Sequence, residues 1–187
     1  MQHFIESIAT QCEIYARERM SRHAIDSSKP VIDAILAKVH SALQKGSPYS
    51  ASPGRFIANL ITIDADGFPA SRCLNAREIS KDFTYLRFQT RASTRKLAHL
   101  RGNNKVAITY VDGRGKGGWV TLRGEAELQN RSDGEVDIHV NVMKIESVNY
   151  NEELMQDDSG WQPEMLQRVA DDSGGPWTRV AYSDSLK

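Results

Sequence analysis

The spacing of hydrophobic positions changes along this chain and divides it into parts. Over residues 3–20, Phe4, Ile5, Ile8, Cys12 and Tyr15 recur at helical intervals, and over residues 30–43 Val31, Ile32, Ile35, Leu36, Val39 and Leu43 do the same. Two helices are predicted. Pro30 suits the first turn of the second helix, and Gly46 suits its end. Residues 47–54, with Pro48, Pro53 and Gly54, read as a loop.

From residue 55 the period shortens to two. Strands are predicted over 56–63 and 70–79 with a turn at Asp64-Ala65-Asp66-Gly67 between them, and a third from Phe83 to Thr90 after Lys81-Asp82. Residues 94–101 return to a helical pattern, with Ser93 as cap and Gly102-Asn103-Asn104 as stop. Val106, Ile108 and Tyr110 alternate, then Val120, Leu122, Gly124, Ala126 and Leu128, which makes a hairpin. A sixth strand carries Ile138, Val140 and Val142, and its phase then slips to Met143, Ile145 and Val148, as a bulge produces. Beyond Asp157 the chain is polar and glycine-rich, with a helix expected over 163–170 and a last ordered stretch over 177–180.

Six strands in meander order with one helix inserted predict a mainly β (α+β) fold, an antiparallel barrel with flanking helices, because closure removes exposed sheet edges. The N-terminal helices would cover an opening or an interface. The expected divisions are 1–54 for helices and linker, 55–150 for the barrel core and 151–187 for a polar tail.

Composition narrows the function. The 187 residues are 40% hydrophobic, enough for a real core, and hold 24 Lys+Arg against 24 Asp+Glu. With no overall positive field, nucleic acid is not an expected partner, and any anion site must be a local cluster. Cys12 and Cys73 fall in different predicted elements and give neither a disulfide framework nor a zinc spacing. No apolar run approaches the ~20 residues of a membrane span, and residues 1–6 lack the form of a secretory signal. A soluble, cytoplasmic protein without a membrane partner is expected.

The turn Ser93-Thr94-Arg95-Lys96 carries the chemistry. With Ser93 as cap, Thr94, Arg95 and Lys96 are the first helical positions, where backbone N–H groups are unpaired and the helix dipole is positive. Two cations there oppose the dipole; either the turn is a solubilising surface helix end or an anion compensates them, and amides, hydroxyls, an arginine fork and a lysine together suit a phosphate. Strand 70–79 puts Arg72, Leu74 and Ala76 on one face and Cys73, Asn75 and Arg77 on the other, and neither is cleanly apolar. Either it is a half-wet edge strand or it lines a ligand groove. Gly113 to Gly118 has the look of a nucleotide loop but stands between two strands, where a dinucleotide fingerprint requires a helix, and reads as a hairpin connection. The histidines at 3, 23, 40, 99 and 139 show no ligand spacing, so no metal site is expected, and His99 reads as the exposed face of the short helix. Cys73 reads as a small packed strand residue.

Gly67-Phe68-Pro69-Ala70-Ser71-Arg72, Phe88-Gln89-Thr90, Ser93-Thr94-Arg95-Lys96-Leu97, Asn103-Asn104-Lys105-Val106-Ala107 and Trp119 to Glu127 fall in an order and spacing that resemble the pyridoxamine 5'-phosphate oxidase family over about residues 55–128. The resemblance implies an FMN-binding split barrel, a homodimer with the flavin at its interface, a small-molecule substrate and oxidoreductase activity. It implies flavin contacts from Arg72, Leu74, Asn75 and Arg77, from Gln89 and Thr90, from the phosphate-gripping Thr94, Arg95 and Lys96, and from Trp119 of the other subunit. Arg77 and Arg179 are the residues it implies for substrate. Two departures stand out. Only Gln129 to Asp137 separate the Gly-x-Ala-Glu strand from the last core strand, where relatives carry a helical segment, and the C-terminal Arg-x-His is reduced to Arg179. They leave open a non-catalytic, regulatory split barrel that holds a flavin or haem.

Overall fold

The structure, a computed structural model, describes residues 28–45, 57–111, 119–148, 163–168 and 175–180. The helix expected over 3–20, the loop over 47–54 and the glycine-rich segment 113–118 lie outside the described residues. Within them are α1 (Lys29–Lys45), β1 (Ile57–Ile63), β2 (Pro69–Ile79), β3 (Tyr85–Arg91), α2 (Arg95–Gly102), β4 (Lys105–Val111), β5 (Trp119–Asn130), β6 (Glu135–Val148), β7 (Glu164–Gln167) and β8 (Thr178–Val180).

All strand pairs are antiparallel. The order β3-β2-β1-β4-β5-β6 closes on itself through β3–β6, giving a six-stranded barrel, and β7 and β8 continue from β6 outside it. Alternation explains the core: Ala58, Leu60, Leu86, Phe88, Ile108, Val120, Leu122, Ile138 and Val140 point inward and are essentially inaccessible. Ile32, Ile35 and Val39 of α1 join the same cluster, and His40 lies on the Phe83 ring and bonds the Lys81 carbonyl at 2.8 Å. This helix packs against β4 and β5.

Two irregularities shape the barrel. Arg123 pairs with Lys144 and Gly124 with Val142, so Met143 is the extra residue where the phase of β6 slips. Before it β6 pairs with β3, after it with β7. Gly124 is required there, because a Cβ would stand 2.0 Å from the Asn141 carbonyl oxygen. On the other side of the barrel, β2 pairs with β3 only over Ala76–Ile79, with Arg77 as the bulged residue. The segment Pro69–Asn75 therefore keeps one edge free of β3, and here the barrel is split. Among the described residues β2 thus has one ladder partner in each half, β1 over Pro69–Asn75 and β3 over Ala76–Ile79.

Several expectations are corrected. Residues 164–167 form a strand, not a helix: Met165 and Leu166 pack in while the backbone takes the edge that β6 offers beyond its bulge. Phe83 belongs to the turn before β3, with φ +56, its N–H bonded to the Ser80 carbonyl and its ring fully buried. Thr94, not Ser93, is the N-cap of α2, with extended φ −83 and ψ 139. Cys73 is exposed rather than packed, because it faces outward beside Asn59, whose Oδ1 accepts from its Sγ at 3.4 Å.

Candidate functional site

The site lies where the split in the barrel meets the start of α2. Strand β3 ends at Arg91, a turn follows in which the Thr94 N–H bonds the Arg91 carbonyl at 3.3 Å, and α2 begins at Arg95. The Thr94 hydroxyl donates to the same carbonyl at 3.1 Å instead of capping the helix, so no side chain closes the first turn from within. Leu97 and Leu100 anchor the other face in the core. Lys96 is only 8% exposed, and its Nζ donates to Thr90 Oγ1 at 2.8 Å, with Thr94 Oγ1 a further 3.4 Å away.

Arg72 comes to this turn from β2. It faces inward opposite Leu60, and its Nη2 donates to the Ala70 carbonyl at 3.1 Å, while Nη1 is buried and has no hydrogen-bond partner. Burial first, and the charge of Arg95 second, lower the Arg72 pKa; burial and then the charge of Arg72 lower that of Lys96. Among the described residues no carboxylate forms an ion pair with Arg72, Arg95 or Lys96. Clustered cations without an acid are costly. The orphaned guanidinium nitrogen, the helix start without a side-chain cap bond, the Thr90 hydroxyl and, once it leaves the Arg91 carbonyl, the Thr94 hydroxyl fit a phosphate dianion, the chemistry that would relieve these costs together.

The other expected residues are placed differently. Leu74 faces the barrel interior beside Ala58. Asn75 lies on the opposite face of β2 from Arg72, paired with Ile57, its Oδ1 buried and unpartnered. Arg77 is exposed at the bulge. Gln89 points outward and its amide bonds the Glu135 carboxylate, so it does not share the face of Thr90. Trp119 stands at the far end of the barrel, between Val111 and Val148. Arg179 makes a two-pronged ion pair with Glu164, at 2.9 and 3.0 Å, on the β7–β8 edge. The structure thus gathers Arg72, Thr90, Thr94, Arg95 and Lys96 and leaves the rest apart within one chain.

Two contacts have no counterpart in the sequence reading. His99, expected on an exposed face, bonds the fully buried Thr62 through Nδ1 at 3.0 Å. The signal was Thr62 itself, a hydroxyl at the third inward position of β1 after Ala58 and Leu60, which requires a partner. Arg168 is buried against the β6 bulge, with Nε to the Val142 carbonyl at 2.6 Å and Nη2 to the Thr84 carbonyl at 3.0 Å, and its guanidinium lies 5.7 Å from the centre of the Trp177 ring. Trp177 in turn donates to the Asp82 carbonyl at 2.8 Å. Among the described residues no helix is long and apolar enough to cross a membrane.

Known proteins share this architecture. None of the curated proteins compared matches the chain. Among solved structures, PhzG from Burkholderia lata 383, in complex with tetrahydrophenazine-1-carboxylic acid, is similar with a TM-score of 0.54 at 11% identity, covering 85% of this chain and 93% of its own. A pyridoxamine 5'-phosphate oxidase-related, FMN-binding protein from Nostoc punctiforme PCC 73102 gives 0.52 at 12% identity, over 84% of this chain and 98% of its own. A protein of the pyridoxinephosphate oxidase family from Clostridium acetobutylicum, related to general stress protein 26, gives 0.51 at 15% identity, over 63% and 89%. At these identities the likeness is one of fold, the split barrel. The sequence profile of pyridoxamine 5'-phosphate oxidase matches residues 53–157, which include every strand of the barrel and the Arg72 and Thr94–Lys96 positions. The chain belongs to the pyridoxamine 5'-phosphate oxidase family.

Proposed function

We propose that this protein binds FMN and acts as a flavin-dependent oxidoreductase, with the flavin phosphate held by Arg72, Thr90, Thr94, Arg95 and Lys96. The observation that carries this reading is the acid-free cluster of three cations around an unpartnered Arg72 Nη1 and an uncapped helix start. When bound, FMN would supply the hydride chemistry. The chain's own part is positional. Arg72 offers a free N–H, Lys96 keeps two of its three N–H donors after bonding Thr90, and the exposed Arg95 can close over the anion. The unpaired edge of Pro69–Asn75 leaves backbone groups open toward a planar ring.

A homodimer belongs to the same reading. The outer face of β2, β1, β4 and β5 carries an uncharged block in which the cross-strand row Cys73, Asn59, Thr109, Thr121 is flanked by Ile57, Ile61, Ala107 and Val111. Trp119 closes its end, and Lys105 and Arg123 stand at its rim. Such a block suits a second copy of this chain, which would bring Trp119 of one protomer to the flavin of its partner. The separation of Arg77 from an Arg179 already paired with Glu164 favours a second reading, in which the flavin is held without turnover.

The absorption spectrum of freshly purified protein tests the first claim. Oxidised-flavin bands are expected, and Arg95→Ala with Lys96→Ala should abolish them. Apo-protein that takes up no FMN on titration refutes the reading, and bands retained in the double variant refute the phosphate assignment. Rapid reduction of the bound flavin by NADPH would exclude the non-catalytic alternative.

A further inference from the structure

The two sources of positive charge at the phosphate site come from different elements. Arg72 belongs to β2, and Arg95 and Lys96 to α2, and no direct hydrogen bond between the two groups is present among the described residues. One side-chain contact joins their supports. His99 stands four residues after Arg95, on the same face of the helix, and its Nδ1 bonds Thr62 Oγ1 at 3.0 Å. Thr62 is fully buried and is the cross-strand partner of Ala70, whose carbonyl receives the Arg72 Nη2 at 3.1 Å. The links run from the Arg72 guanidinium to Ala70, across the β1–β2 ladder to Thr62, through His99 into α2, and back to Arg95 and Lys96. Among the described residues the Thr62–His99 bond is the side-chain hydrogen bond that ties α2 to β1, while Lys96 ties its first turn to Thr90 of β3 and Leu97 and Leu100 are buried beneath it; apolar contacts resist rotation about a helix axis less than a directional hydrogen bond does.

We propose that His99 and Thr62 are positioning residues that fix the rotation of α2, so that its first turn and Arg72 converge on one phosphate. The proposal rests on the assignment of that phosphate to FMN. Neither residue touches the ligand, so their effect falls on the phosphate end of FMN and not on its ring.

The test compares FMN with riboflavin, which lacks the phosphate, by flavin-fluorescence titration of the full chain stripped of cofactor. In His99→Ala and in the nearly isosteric Thr62→Val, FMN affinity falls about tenfold, the scale of one lost hydrogen bond, while riboflavin affinity stays within about twofold of wild type. His99→Asn, whose amide stands where Nδ1 stood, restores FMN affinity to within about threefold. Equal losses for FMN and riboflavin, or unaltered FMN affinity in both Thr62→Val and His99→Ala, overturn the positioning role and leave the phosphate site standing. A wild-type chain that takes up no FMN overturns the phosphate assignment and this proposal with it.

Discussion

Lysine is rarely buried without an acid beside it, and burial first, then the charge of Arg72, hold Lys96 below its ordinary pKa of 10.5 while Thr90 accepts its hydrogen bond. The sign of the consequence follows from proton counting. Between the folded-state value and 10.5 the unfolded chain holds more protons, so stability rises with pH across that interval; below it the penalty is present in full. Lys96→Met removes the penalty, so the cofactor-free variant should have the higher urea midpoint near neutral pH, and the gap should narrow as the pH rises toward 10.5. Inorganic phosphate or FMN should narrow it too, by supplying the missing anion. A gap unchanged along the alkaline series would show that burial of Lys96 costs nothing. The sequence made part of this legible. Thr94, Arg95 and Lys96 could be read as a helix start because the signal is local. The burial of Lys96 could not, because it depends on Arg72 and Thr90, which reach the turn only when the barrel folds. Gln89 is set apart for a related reason: its neighbour Thr90 faces the cation cluster, and alternation sends Gln89 to the other side of β3.

At the scale of elements, the bulge at Met143 was readable as a slip of hydrophobic phase, and the strand that crosses it explains Gly124. Where β5 passes the bulge, the backbones approach so closely that a Cβ on Gly124 would meet the Asn141 carbonyl carbon at 2.9 Å and its oxygen at 2.0 Å. Both obstacles are backbone and cannot swing aside. Gly124→Ala should therefore destabilise the fold by about 3 kcal/mol, as overpacking does when nothing can yield. Chemical denaturation measures this, and a loss below about 1 kcal/mol would mean that the β5–β6 ladder can shift after all. The strand Glu164–Gln167 shows the limit of reading elements from sequence. Its four residues carry no period long enough to distinguish strand from helix, and what decides the matter is the β6 edge left open beyond Met143. Phe83 is a similar case. Its aromatic ring suggested strand, but it sits at positive φ in a turn where its N–H donates to the Ser80 carbonyl and its buried ring meets the tilted His40 ring.

At the scale of the molecule, closure of the barrel could be inferred from the meander, although the β3–β6 pair that completes it leaves no local mark. The same closure sorts every strand residue into inward or outward, and the outward set is uneven. Charges crowd β3 and β6, where Arg87 bonds Glu78 and Asp137 and Arg131 bonds Asp133 and Asp137, while the β2–β1–β4–β5 face holds the uncharged block around Asn59 and Thr109. A half-exposed, uncharged face on which Ile57, Ile61, Ala107 and Val111 lie together suits association. If two copies meet there, a charge on its flanks should separate them without unfolding either one, since Ile61 and Val111 point away from the core. Ile61→Lys and Val111→Glu should each convert the dimer to a monomer in sedimentation velocity, with a thermal midpoint close to that of wild type at the same protein concentration. Because Trp119 lies far from Arg72 within one chain, the monomer should bind FMN through the phosphate cluster alone, and more weakly. Variants that remain dimeric would move the interface to another face. Monomeric variants with full FMN affinity would show that each chain holds its flavin unaided, and Trp119 would then have no place in the site.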